Sequence, residues 1–295
     1  MMNFFITWVI LIEFIFCSLT FDTEFGECHL INYGLTFNDV DLQTMIENKT
    51  TKLNNDFNPN YIQKKFSLII DNGNVKISNP QWNWSLGITY YKPEKIIIKD
   101  PSFAHISKND FQKIMEHELN HLMINRIDTM QSIPRWFKEG FAMYYSNEIS
   151  FSHKLKVAQN ITNDNIFNLD NSIFMKNLQK ADFQLAYAKS AIYILSIQEL
   201  YGENTLKNIF NQINEGNNFS DSFYNATSHS LNEFNHIASQ YIKNKYWWFR
   251  LINLPNKLFT FLPLLLVVGF ILQSIKNKKI KERWKLEEEL ESLDE

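Results

Sequence analysis

The hydrophobic pattern changes period several times along the chain, and each change predicts a different element. Phe4 to Phe16 is apolar but for Thr7 and Glu13. It is too short and too near the start for a comfortable membrane span and reads as a secretory h-region, with Ser18-Leu19-Thr20 as the small-residue cleavage pattern. Residues 1–20 are therefore expected to be a signal peptide or, uncleaved, an anchor. Residues 21–60 are polar and Asn-rich and read as an N-terminal extension, in which only Asp39 to Lys52 suggests a helix. Strand-length apolar runs follow: Phe66 to Ile70, then the turn Asp71-Asn72-Gly73-Asn74 and a return strand beginning at Val75 to Ile77. Gly87 to Tyr91 and Lys95 to Lys99, separated by Lys92-Pro93-Glu94, are two more β-rich runs, for a small mixed sheet of three or four strands.

At Asp110 the period lengthens. Ile114, Met115, Leu119, Leu122 and Met123 recur at spacings of three and four, which predicts a packed helix to Ile127 with its start signal in Ser107 to Asp110. Pro134 opens a second helix whose apolar face is Trp136, Phe137, Phe141 and Tyr144. Gly140 in its middle costs about 1 kcal/mol against Ala, which predicts a close approach there, to the preceding helix. Beyond position 180 the pattern stays helical: Ala181 to Tyr201 ended by Gly202, Thr205 to Asn214 ended by Gly216, and Leu231 to Lys245 opened by the capping box Ser230-Leu231-Asn232-Glu233.

Leu258 to Ile275 is an uncharged apolar run long enough to cross a bilayer. Tyr246, Trp247 and Trp248 precede it, and Lys276, Lys278, Lys279, Lys281, Arg283 and Lys285 follow it. The positive-inside rule places 276–295 in the cytoplasm as a charged tail and the long segment before the span outside, as a single-pass protein of the cell membrane. The expected fold class is α+β: a small N-terminal mixed β-sheet packed on an active-site helix, a mostly helical C-terminal half, and one C-terminal transmembrane helix. The expected domain runs over 61–245, with a juxtamembrane linker at 246–257 and the span at 258–275.

Composition narrows the function. A formal charge of −3 gives no basic footprint, so nucleic acid is not an expected partner. Two cysteines, Cys17 and Cys28, provide no disulfide framework.

The candidate chemistry is His117-Glu118-Leu119-Asn120-His121. At 3.6 residues per turn His117 and His121 share one helix face, where two imidazoles can bind one Zn²⁺, and Glu118 lies close enough to activate a water on it as general base. Glu139, on the next helix, is the candidate third ligand, which leaves the fourth position open. The helix also carries Lys113, Glu116 and Arg126, so it is no membrane span and this is no intramembrane protease. His29, His105, His153 and His236 have no motif around them and read as structural or solvent-facing.

With these residues laid out, the chain resembles the peptidase MA-like metalloprotease domains of the gluzincin type. Those domains pair a His-Glu-X-X-His helix with Trp-X-X-Glu-Gly-X-Ala on the next one, and Trp136-Phe137-Lys138-Glu139-Gly140-Phe141-Ala142 satisfies that pattern. Tyr187-Ala188-Lys189-Ser190 and Tyr201-Gly202 correspond to weaker positions of the family, and the resemblance covers about Phe66 to Lys245. It implies a zinc-dependent peptidase acting on peptides or proteins, one Zn²⁺ per chain, and Tyr187 as oxyanion donor; apart from the resemblance, His229 is the alternative donor. It also implies that Ile96 to Ile98 is the edge strand against which substrate lies. Met143 departs from the pattern: it stands where thermolysin-like members carry an acid, four residues after the glutamate, so ligand orientation has to come from elsewhere. A membrane-tethered binding module that keeps the fold but does little proteolysis is the competing reading.

Overall fold

The computed structural model describes residues 18–59, 64–77, 85–160, 180–249 and 255–291. The stretch Phe4 to Phe16, read as a secretory h-region, lies outside the described residues.

Five described strands form one mixed sheet in the order β1-β2-β3-β5-β4. β1 (Ser18–Thr23) and β2 (Gly26–Asn32) make an antiparallel hairpin, and the first three residues of β1 are the last three of the stretch 1–20. β2 runs parallel to β3 (Phe66–Asp71), β3 parallel to β5 (Glu94–Lys99), and β4 (Gly87–Tyr91) closes the far side antiparallel to β5. The register puts Cys28 beside Phe66, Leu30 beside Leu68, Leu68 beside Ile96 and Ile70 beside Ile98, all on one face and all buried. Cys28 is a free thiol in that face, pushed up to about 12 by burial.

One expectation about this part gains detail and two change. Residues 21–60, read as an N-terminal extension, supply most of the β1–β2 hairpin and α1 (Asp39–Phe57), a 19-residue helix capped by Asn38, whose side chain accepts from Asp41 N. Val75 to Ile77 form no strand, and among the described residues none returns beside β3, whose two neighbours in the sheet are β2 and β5, both parallel to it. And Ile96 to Ile98 belong to a central strand, with all three isoleucines buried; the edge is β4. An unbroken β-branched run is what a strand covered on both faces needs, whereas an edge strand next to a cleft can carry Thr and Tyr.

After the short helix α2 (Pro101–Ala104) comes α3 (Lys108–Ile127), capped by the Ser107 hydroxyl, which accepts from Asp110 N at 3.0 Å. Met115, Leu119, Leu122 and Met123 on α3 are buried, as their spacing required. α3 packs on β4, β5, α1 and the next helix, α4 (Arg135–Tyr145). The helical half adds α5 (Phe151–Asn160), α6 (Lys180–Tyr201), α7 (Thr205–Asn214), α8 (Phe219–Thr227) and α9 (Leu231–Tyr246). The capping box at α9 is formed: Glu233 Oε2 accepts from Ser230 N at 2.7 Å, and Ser230 Oγ accepts from Glu233 N at 3.3 Å.

α4 is gripped by α6. A Cβ at Gly140 would lie 2.3 Å from the Ser190 carbonyl oxygen, so the absence of a side chain is what lets the helices meet. The close approach read from Gly140 is therefore real, but its partner is α6 and not the motif helix. Trp136 and Phe137 on the buried face of α4 stack into a core with Tyr193, Phe219 and Phe234.

The chain divides into two compact units, residues 1–244 and 245–295. The second contains α10 (Pro255–Glu291), which carries the one stretch among the described residues long and apolar enough to cross a membrane, Phe261–Lys285.

Candidate metal centre

α3 and α4 bring three donor atoms together. His117 Nε2 and His121 Nε2, one turn apart on α3, lie 3.1 Å from each other. Glu139 Oε2 on α4 lies 3.2 Å from His121 Nε2 and 3.7 Å from His117 Nε2. The two helices are held at this spacing by Asn120, whose buried side-chain NH₂ donates to the Ala142 carbonyl at 3.1 Å. Among the described residues these three side chains form a group able to hold a metal ion.

The donor set fits a tetrahedral zinc. Bonds of the usual length set neighbouring ligands about 3.3 Å apart, and the three separations of 3.1, 3.2 and 3.7 Å lie around that value. Glu139 Oε2 is also buried without a hydrogen-bond partner despite the nearby imidazoles, a costly state that a cation at the shared point would relieve.

Glu118, next to His117 on α3, meets the edge strand. Thr89 Oγ on β4 donates to Glu118 Oε2 at 2.6 Å, and to the Glu118 carbonyl at 3.2 Å. Gly87 makes room beside it: a Cβ there would stand 2.6 Å from Glu118 Oε1. Thus β4, not β5, touches the site.

The environment drives the two glutamates apart. Burial raises Glu118 above the ordinary carboxylate value, against the pull of His117, His121 and Thr89. Burial acts on Glu139 in the same direction, but the two histidines outweigh it and hold that carboxyl well below the ordinary value. One carboxylate is thereby kept ionised, as a ligand must be, and the other is moved toward a proton-exchanging range.

The residue that sequence reasoning missed is Glu148. Its Oε1 lies 2.8 Å from His117 Nδ1 and accepts from Ser146 Oγ at 2.5 Å. Burial lowers the His117 pKa, yet Glu148, Glu139 and Glu118 outweigh it and the net direction is well above the ordinary value. Glu148 reaches the ring because α4 ends at Tyr145 and Asn147 takes a left-handed φ of 56°, which turns the chain back so that Glu148 N donates to Met143 O at 3.0 Å. The acid missing at Met143 is supplied five residues further on, from the turn. A left-handed Asn just past the helix end is the one sequence signal for such a return.

Tyr187 on α6 is near the cluster: burial first, then Glu139 and Glu118, push its phenol well above the ordinary value, and Arg135 hydrogen-bonds its hydroxyl. His229 is engaged elsewhere. Its Nδ1 is 2.9 Å from Thr227 O and its ring lies against Tyr201, at the junction of α8 and α9. His153 accepts from Ser150 N, and His236 pairs with Gln240 one turn along α9.

Residues 60–244 match the family model for the Peptidase MA superfamily, more than half of the chain. The chain belongs to the Peptidase MA superfamily. A comparison with curated proteins finds no match. The superfamily match takes in β3 to α8 and nearly all of α9, and with them His117, Glu118, His121, Glu139 and Glu148; β1, β2 and α1 precede it. A peptidase-like hydrolase fold with a group that could hold a metal follows from these observations together.

Proposed function

We propose that the protein is a zinc-dependent peptidase anchored in the membrane by its C-terminal helix. The observation that carries the reading is the convergence of His117 and His121 on a buried Glu139 oxygen that has no hydrogen-bond partner. His117, His121 and Glu139 would hold the ion, His117 being steadied from behind by Glu148. A zinc ion there supplies Lewis acidity, which lowers the pKa of water and polarises a carbonyl. Glu118 takes the proton of the attacking water and delivers it to the amine nitrogen that leaves. Its raised pKa suits both halves of that transfer, and Thr89 fixes the carboxylate while it occurs. Tyr187, protonated and beside the cluster, donates to the developing oxyanion. A peptide strand laid along β4 would pass Gly87 and Thr89, and so Glu118, at the only edge of the sheet that touches the site among the described residues.

The proposed layout is a signal segment over 1–20, the peptidase domain reaching to 245, a linker over 246–257, the span over 258–275 and a cytoplasmic tail over 276–295. The catalytic domain is then outside the cytoplasm, consistent with the six cations that follow the apolar run. The purified full chain in detergent should bind about one zinc and cleave members of a broad peptide library. Glu118→Gln should keep the zinc and lose cleavage by about 10²-fold or more, as general-base removal does. Full cleavage by Glu118→Gln would refute the catalytic assignment. Zinc uptake with no cleavage by the parent of any peptide would leave a binding module instead.

A further inference from the structure

Arg135 opens α4 one turn before Glu139, so the two side chains share a helix face. Its Nε stands 3.3 Å from Glu139 Oε1, while the other carboxylate oxygen, Oε2, is the one directed to the histidines. The same guanidinium hydrogen-bonds the Tyr187 hydroxyl. A guanidinium can only donate, so the Tyr187 oxygen accepts in that bond and its own proton is directed away from Arg135. One cation therefore touches both the candidate third ligand and the candidate oxyanion donor, which sit on different helices.

This division of Glu139 has a chemical consequence. A carboxylate with both oxygens available can close on a metal through both, taking the position that a catalytic site keeps for water and substrate. With Oε1 engaged by Arg135, one oxygen is left for the ion. We propose that Arg135 is a positioning residue, which holds Glu139 to a single metal-facing oxygen and aims the Tyr187 hydroxyl as a donor into the cleft. The inference rests on the metallopeptidase reading above. The plain alternative is an ion pair between neighbouring turns of one helix, which contributes little wherever it is exposed; the Arg135 side chain is 37 % exposed.

The test uses the full chain loaded with Co²⁺, whose visible absorption reports coordination number. Arg135→Gln should weaken the absorption, as four-coordinate cobalt gives way to a higher number, and lower cobalt affinity about tenfold, the usual scale for a residue that orients a ligand. Arg135→Lys, which keeps the charge but not the fork, should restore part of both; it also serves if the Gln variant does not fold. In peptide cleavage Arg135→Gln should lower kcat with KM little changed, and in a Tyr187→Phe background the same substitution should cost less than it does alone. A spectrum and affinity equal to the parent's, with fully additive kinetic losses, overturns the inference while leaving the metal reading intact. A parent chain that takes up no cobalt overturns both.

Discussion

Residues 18–57 and residues 85–148 lie on one sheet yet are built to different rules. The first stretch supplies β1, β2 and α1, none of the site, and precedes the part matched by the superfamily. Its polar groups are answered: Asn32 donates to Asp39 at 2.8 Å and to Phe37 O at 3.1 Å, and Thr36 donates to Asp100 at 2.8 Å. The second stretch supplies Gly87, Thr89, His117, Glu118, His121, Glu139 and Glu148. Of the five buried side-chain atoms left unpartnered among the described residues, three (on Asn120, Asn125 and Glu139) fall on α3 and α4, and none falls in residues 18–57. Satisfied polar groups suit a scaffold; the Glu139 oxygen, kept beside two imidazoles, is where a cation would be held.

The contrast is sharpest where the two stretches meet, at Lys49 of α1. Its ammonium is buried 3.2 Å from Glu116 on α3 and 2.9 Å from the Tyr145 carbonyl that ends α4. Burial lowers its pKa from 10.5 to about 8, against the pull of Glu116. Below pH 8 the side chain is protonated folded and unfolded, and the burial penalty is fully present; above 10.5 it is neutral in both and the penalty is gone. Between those values the unfolded chain binds the extra proton, so stability rises with pH. Relative to Lys49→Met, the parent should gain on the order of 3 kcal/mol from pH 7.5 to above 10.5, measured by denaturant unfolding at each pH. Zinc affinity of the variant at pH 7.5 should stay within about twofold, since α1 carries scaffold only. A parallel pH profile, or a large loss of zinc, would erase the distinction between the two stretches.

Gly87→Ala probes the other side of that distinction. The new Cβ would meet Glu118 Oε1 at 2.6 Å, its three nearest neighbours all being atoms of Glu118, and push the carboxylate off Thr89. Displacing a reacting group by about 1 Å can cost 10²-fold, so cleavage should fall toward that level while zinc binding and melting temperature hold. Unchanged cleavage would show that Glu118 can take another position and still react.

The same contrast explains what the sequence discloses. α3 and α4 are legible because a helix turns a spacing directly into a shared face: four residues from His117 to His121 need no knowledge of the rest of the chain. β3 and β5 are legible as β-branched runs, but their place in the sheet is a matter of long-range pairing. Ile96 to Ile98, buried throughout, argue for the centre on their own composition. β1 and β2 stay hidden because their exposed positions are Ser, Thr, Asp and His, which dilute a period of two into apparent loop. Gly140 announces a close approach without naming the partner, which turned out to be the Ser190 carbonyl.

Glu148 is the hardest position to read, and changing it should have the smallest of these effects. It lies outside any helix, so no spacing ties it to His117, and it arrives only because Asn147 reverses the chain. With Oε1 at 2.8 Å from Nδ1, the carboxylate accepts that ring proton and so leaves Nε2 as the atom with a free lone pair, the tautomer a metal needs. Glu148→Ala should therefore lower zinc affinity about tenfold in a chelator competition, with cleavage at saturating zinc reduced less. Glu148→Gln should lose less than Ala, because its amide oxygen still accepts from Nδ1 and orients the ring although the charge is gone. Were the Ala and Gln variants to bind zinc as the parent does, the turn after α4 would belong with the scaffold stretch, and Met143 would mark a ligand that needs no support at all.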